Sequence, residues 1–109
     1  MIKIVNDTID KTIKYLQERY PRDQVVYIHI AEGYDCVSDP DGNKGFGVYV
    51  PEMQSIFIAE DIPEKETTLI ETIAHEYKHF MQHCDGEPYD EEAAEAFAWK
   101  ILHELEKQP

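Results

Sequence analysis

Apolar residues recur at three- to four-residue spacing at the start of the chain: Ile2, Val5, Ile9, Ile13, Leu16 and Tyr20. That period places them on one side of an α-helix, with Lys3, Asp7, Asp10, Lys14 and Glu18 outside, and Pro21 stops it. The pattern then changes. Residues 25–31, VVYIHIA, are rich in β-branched side chains and read as a buried strand. Residues 34–47, YDCVSDPDGNKGFG, read as a solvated loop turning at Pro40-Asp41-Gly42-Asn43. Residues 46–50 and 55–59 (SIFIA) read as two more strands, and the short connection at Pro51 and Glu52 makes them an antiparallel hairpin.

Residues 60–68 read as an acidic loop, with Thr67 or Thr68 as N-cap of the next helix and Glu71 as capping-box partner. That helix, TLIETIAHEYKHFMQHC over residues 68–84, has two faces. Leu69, Ile73, Tyr77, Phe80, Met81 and Cys84 form the apolar one. His75 and His79 lie on the other, with Glu76 and His83 to one flank and Gln82 between. Asp85-Gly86 ends the helix. Pro88 opens a last helix over residues 89–107, whose stripe is Ala94, Phe97, Ala98, Ile101, Leu102 and Leu105. The expected class is α+β: an N-terminal helix, a small three-stranded sheet and two C-terminal helices.

The length of 109 residues predicts a single domain over residues 1–109, with one modest core and no separate substrate-binding domain. A hydrophobic fraction of 42% is enough to fold. The net charge of −13, from 23 acidic against 10 basic residues, argues against a nucleic-acid partner, because phosphate binding needs a basic surface. The acidity is read first as a solvated surface; it would also steer basic partners. Charges break up the N-terminal apolar residues, and no run of about 20 apolar residues occurs, so neither a signal peptide nor a membrane span is expected. Cys36 and Cys84 make no disulfide framework, and the expected compartment is the reducing cytoplasm.

The candidate chemistry is His75-Glu76-Tyr77-Lys78-His79, an H-E-x-x-H sequence. Helical residues four apart stand one above the other, so both histidines can hold one metal ion, and Glu76 can take a proton from the attacking water. The motif is short; its weight comes from its mid-helix position on a polar face and from the helix that follows. There Glu91 lies near the centre of the apolar stripe, where a carboxylate is costly unless compensated. A metal would compensate it, and two histidines with one carboxylate leave an open position on zinc. Glu91 is therefore the expected third ligand. Glu92, about 100° away, is the alternative. Glu95, one turn beyond Glu91, is the expected acceptor for the distal nitrogen of a ligating histidine.

Three other features weigh less. His75, His79 and His83 together span about 12 Å of one straight helix, too far for one metal, so His83 reads as a pocket or surface residue. His29 reads as a structural histidine on a strand. Asp35, Asp39 and Asp41 do not match an EF-hand loop, and no glutamate closes it.

At this point the chain resembles a known group. Its order of elements is similar to gluzincin-type zinc metallopeptidases in minimal form, the minigluzincins, and to ImmA/IrrE-like peptidase domains. The likeness runs over residues 25–102. It is carried by GFGVYVPEMQSIFIA, TIAHEYKHFMQ and EEAAEAFAWKIL. In such families the glutamate ligand is followed four residues later by an acidic or amide residue and then by Phe-Ala; Glu91, Glu95 and Phe97-Ala98 fall in that register. The connection from His79 to Glu91 is short here, and Glu95 stands where Asp or Asn is usual. The resemblance implies a zincin-like fold whose third strand, residues 55–59, lines the cleft and pairs with an extended substrate.

The expected function is zinc-dependent hydrolysis of a peptide bond in a protein substrate. One zinc would sit on His75, His79 and Glu91, Glu76 would act as general base, and Tyr89 or His83 would contact the oxyanion or substrate. An activator or partner protein is compatible with so small a chain. The rival of a different class is a non-catalytic or latent zinc-binding interaction module. A third reading is a metal-free helical interaction protein.

Overall fold

The computed structural model describes residues 2–63 and 65–107, with residues 2–5 and 65 by backbone alone. The fold is α+β. Helix α1 (Ile2–Arg19) leads into strand β1 (Tyr27–Ala31). Two short strands, β2 (Val37–Ser38) and β3 (Lys44–Gly45), follow, then β4 (Gly47–Val50), a 3-10 turn (Pro51–Met53) and β5 (Ser55–Ala59). Helices α2 (Lys65–Cys84) and α3 (Glu91–Glu106) complete the described chain. None of these helices is long and apolar enough to cross a membrane.

The N-terminal stripe packs as its period predicts. Ile9 and Leu16 are buried, and Ile13 and Tyr20 pack against the core; Ile2 and Val5 lie outside the described side chains. Tyr15 is also buried, its hydroxyl donating to Glu104 of α3 at 2.6 Å. Tyr77 of α2 donates to the carbonyl of Tyr20 at 2.8 Å. Arg22 grips Asp85, at the end of α2, through two nitrogens at 2.9 and 2.8 Å. These bonds lash α1 to α3 and the segment after α1 to α2.

The main sheet has strand order β1-β5-β4, with β1 parallel and β4 antiparallel to β5. The predicted hairpin is β4–β5, registered Val50 to Ser55 and Gly47 to Ile58. Alternation along β5 sends Ile56 and Ile58 into the core. Phe57 faces the other way, its ring stacked on that of His29 at 4.7 Å between centroids. His29, 3.3 Å from the Ser55 hydroxyl, is exposed on β1, and no residue of that strand is buried, unlike the buried strand expected over residues 25–31.

Three further sequence expectations are corrected. Residues 34–47 are not all loop: β2 and β3 pair antiparallel there. They close on Asp39, whose carboxylate accepts from the backbone of Asp41 and Asn43 and from the Asn43 amide. Helix α2 begins at Lys65, so Thr67 and Thr68 lie inside it and neither is its N-cap; Glu64 lies outside the described residues. The threonines resemble a start signal, yet the preceding residues extend the helix and Leu69 and Ile70 anchor it in the core. Finally, β5 cannot receive a substrate strand. It is the central strand, bonded on both sides, which leaves β1 and β4 as edges.

Helix α2 lies against α1, α3, β4 and β5. Its apolar residues Leu69, Ile73, Tyr77, Phe80 and Met81 are all buried, with Cys84 packed at the margin. The helix ends where Gly86 takes a left-handed φ of 68°, and the Glu87 N–H returns to the Gln82 carbonyl at 2.8 Å. Asp90 caps α3, its carboxylate accepting from the Ala93 N–H at 3.1 Å. The α3 stripe of Ala94, Phe97, Ala98, Ile101, Leu102 and Leu105 is buried as predicted.

Candidate metal centre

Helix α2 turns His75 and His79 towards the first turn of α3. The two rings lie 5.0 Å apart between centroids. Oε1 of Glu91 is 2.5 Å from Nε2 of His79 and 3.2 Å from Nε2 of His75. Together the three residues offer donor atoms all within 4.8 Å of one another. Among the described residues this is the group able to hold a metal ion. Two imidazole nitrogens and one carboxylate oxygen suit a borderline divalent ion such as zinc.

Glu91 reaches the histidines differently from the sequence argument. It is not embedded in the buried stripe: it is the first residue of α3, and its side chain is 63% exposed. The tight Asp85–Asp90 connection, folded back on Gln82, brings that first turn over the histidines. Burial alone would raise the Glu91 pKa; hydrogen bonds and attraction from His75 and His79 outweigh this and lower it. Glu92 is exposed and lies outside the donor group.

His79 is buried to 1% exposure. One side of its ring is covered by Tyr89, stacked at 3.8 Å between centroids and 6° between planes. Its Nδ1 is 2.9 Å from Oε1 of Gln82. Gln82 therefore occupies the place expected for Glu95, which is exposed at the cleft and makes no hydrogen bond to either histidine. The physical reason is position: Glu95 stands about 6 Å further along its helix than Glu91.

Glu76 is buried beside this group and faces the same cleft. Its Oε1 accepts from the backbone N–H of Tyr49 in β4 at 3.0 Å. Desolvation, with repulsion from Glu91, pushes its pKa up to about 8, against the pull of the Tyr49 N–H.

Comparison with protein-family models, with curated proteins and with solved structures finds no significant match.

The cleft has a volume of about 410 Å³. Phe46, Gly47 and Val48 form one wall, Glu71, Thr72, His75 and Glu76 the floor, and Tyr89, Glu91, Glu95 and Trp99 the other wall. The β-wall is the edge strand β4, not β5. Tyr89 is 68% exposed at the rim; burial of its hydroxyl and the carboxylates of Glu91 and Glu76 raise its pKa, so it stays a proton-bearing donor. His83 is elsewhere: it is exposed, 2.9 Å from the Tyr49 hydroxyl, and does not line the cleft. Of the two candidates for contacting an oxyanion, the fold brings only Tyr89 to the cleft.

Sequence reading missed two contributors. Gln82 stands three residues after His79, a spacing at which helical side chains meet, so its signal was present. The Tyr49 contribution is a backbone N–H and left no trace in residue type.

Proposed function

We propose that this chain is a single-zinc peptide hydrolase of the gluzincin type, similar to the ImmA/IrrE-like peptidase domain suggested by its motifs. The observation that carries the reading is the convergence of His75, His79 and Glu91 on one point beside the buried Glu76, in a cleft open to solvent. A structural zinc site would be closed by a fourth protein ligand. Among the described residues no fourth histidine, cysteine or carboxylate joins this group.

In this reading His75 and His79 present Nε2 and Glu91 an oxygen to one zinc ion. When bound, zinc supplies Lewis acidity that activates water and polarises the scissile carbonyl. Glu76 takes the proton released by the attacking water and returns it to the leaving amine. One Glu76 oxygen is held by the Tyr49 N–H, which leaves the other to face the reacting water. Tyr89 donates its hydroxyl proton as a hydrogen bond to the developing oxyanion. An extended peptide lies along β4, the wall of the cleft. The substrate is a protein or an unstructured peptide. The compartment is cytoplasmic, a reading supported by free thiols at Cys36 and Cys84.

The test pairs metal content with cleavage. Protein purified without chelator or metal-affinity tag is analysed for zinc beside Glu91→Ala and Glu92→Ala, then incubated with an unstructured protein. One zinc per chain, lost with Glu91→Ala and kept with Glu92→Ala, together with cleavage abolished by Glu76→Gln, is the expected result. Zinc without cleavage would favour the non-catalytic zinc module. No zinc after supplementation would leave a metal-free interaction protein.

A further inference from the structure

We propose that Gln82 is a positioning residue that fixes the tautomer of His79 and the placement of Glu91 in a single contact, an inference that rests on the metal-site reading above. Gln82 is buried to 3% exposure, an unusual setting for an amide unless every part of it is bonded. Its Oε1 is 2.9 Å from Nδ1 of His79 and accepts from the Asp90 backbone N–H at 3.3 Å. Its Nε2 donates to the Asp90 carbonyl at 3.2 Å.

The orientation of this amide follows from Asp90. A flipped amide would set NH₂ against the Asp90 N–H and oxygen against the Asp90 carbonyl, two repulsive pairs. The oxygen must therefore face both Asp90 N–H and His79. An amide oxygen only accepts, so Nδ1 of His79 must carry the proton. Nε2, the atom that faces Glu91 and His75, is then the ring nitrogen that can give up its proton and present a lone pair to a metal ion. The free imidazole ring has no such constraint.

The same amide acts on the other ligand. Asp90 is the N-cap of α3, and Glu91 is its first helical residue. Holding both polar groups of Asp90 sets where α3 begins relative to α2. Gln82 thus joins the two helices that supply the donor set. Glu95, although carboxylic and near, makes neither contact.

The experiment uses the full chain, zinc-free and zinc-titrated. Gln82→Met keeps the volume and removes all three bonds. Gln82→Glu keeps an acceptor for His79 Nδ1–H and for the Asp90 N–H. Histidine ring ¹H–¹⁵N correlations of zinc-free protein report which ring nitrogens of His79 carry a proton. The wild type and Gln82→Glu are expected to show His79 protonated at Nδ1, and Gln82→Met a shift towards the Nε2 tautomer. Zinc affinity, read by competition with a chromophoric chelator, should fall about 10- to 100-fold in Gln82→Met and be largely restored in Gln82→Glu. A wild-type His79 with no proton on Nδ1 overturns the proposal, even if Gln82→Met fails to fold. So does a folded Gln82→Met that keeps both the tautomer and the affinity. A wild type that binds no zinc removes the functional reading, while the ring correlations still decide what Gln82 does.

Discussion

Glu76 and Tyr49 are joined across 27 residues by one hydrogen bond, the Tyr49 backbone N–H donating to Glu76 Oε1 at 3.0 Å. The bond ties the proposed base to the edge strand that walls the cleft. It also separates two substitutions that would otherwise look alike. Glutamine keeps an acceptor for the Tyr49 N–H; alanine leaves that donor without a partner in a buried place. Glu76→Gln is expected to keep its zinc and its stability while hydrolysis falls by about 10²- to 10⁴-fold. Glu76→Ala should lose activity equally and also about 1–3 kcal/mol of stability. Zinc analysis, a cleavage assay and urea denaturation of both variants check this; equal stability of the two would remove the structural role of the bond.

The raised Glu76 pKa has a consequence for the metal-free protein. Its folded value of about 8 lies above the ordinary carboxyl value of 4.5. Between these values the folded state binds the extra proton, so this group lowers stability as pH rises. The contribution is full below the unfolded value and is lost as pH climbs through the folded one, on the order of a few kcal/mol in total. Chelator-treated wild type should therefore melt lower at about pH 9 than at about pH 6, by more than Glu76→Gln does. Parallel melting profiles for the two proteins would show that Glu76 is ionised throughout.

Much of this architecture was legible because burial and period agree. The stripe on α3 and the apolar face of α2 are core in the fold, and the short turn at Pro51 does join an antiparallel pair. His75, His79 and Glu91 were legible too, the first two from helical spacing and the third from its register on the following helix. Glu91 is nevertheless not within a buried stripe, because helical spacing says which side a residue occupies and not how near the helix end leaves it to solvent. Glu95 was misread for a related reason: a helical wheel collapses distance along the axis. Strand order was beyond reach. That β5 lies between β1 and β4 depends on a parallel pairing with no local signature, and it moves the open edge from β5 to β4. The Tyr49 N–H was equally hidden, since every residue but proline carries one.

Gly47 shows how closely α2 is seated on that edge. A Cβ at this position would meet Cγ2 of Thr72 at 2.5 Å and Cδ1 of Ile58 at 3.1 Å. Thr72 is one helical turn before Glu76, so a forced shift at Gly47 would be felt at the floor of the cleft. Gly47→Ala should destabilise the fold by about 1–3 kcal/mol. Thr72→Ser deletes the clashing methyl group and should recover most of that loss in the double variant. Denaturant unfolding of the four proteins of this cycle measures the coupling. Additive effects would mean that the strand and helix separate without meeting at this point.

The charge lining the cleft predicts a substrate preference. With Glu91 on the metal and Glu76 engaged in proton transfer, Asp39, Glu71 and Glu95 still face the cleft against one lysine, Lys44. Exposed Phe46 and Trp99 stand on opposite walls, offering aromatic faces on which a cationic side chain can rest. A peptide with lysine or arginine flanking the scissile bond should be cleaved faster than its glutamate counterpart, and the difference should shrink as salt is raised. Glu71→Gln with Glu95→Gln should narrow it by selectively slowing the basic peptide, since neither residue is needed to hold the metal. The measurement is kcat/KM on matched peptides at two ionic strengths, with zinc-loaded protein. Equal rates for the basic and acidic peptides at low salt would mean that these carboxylates lie too far from the bound chain to select it, and that selection is made by the apolar walls.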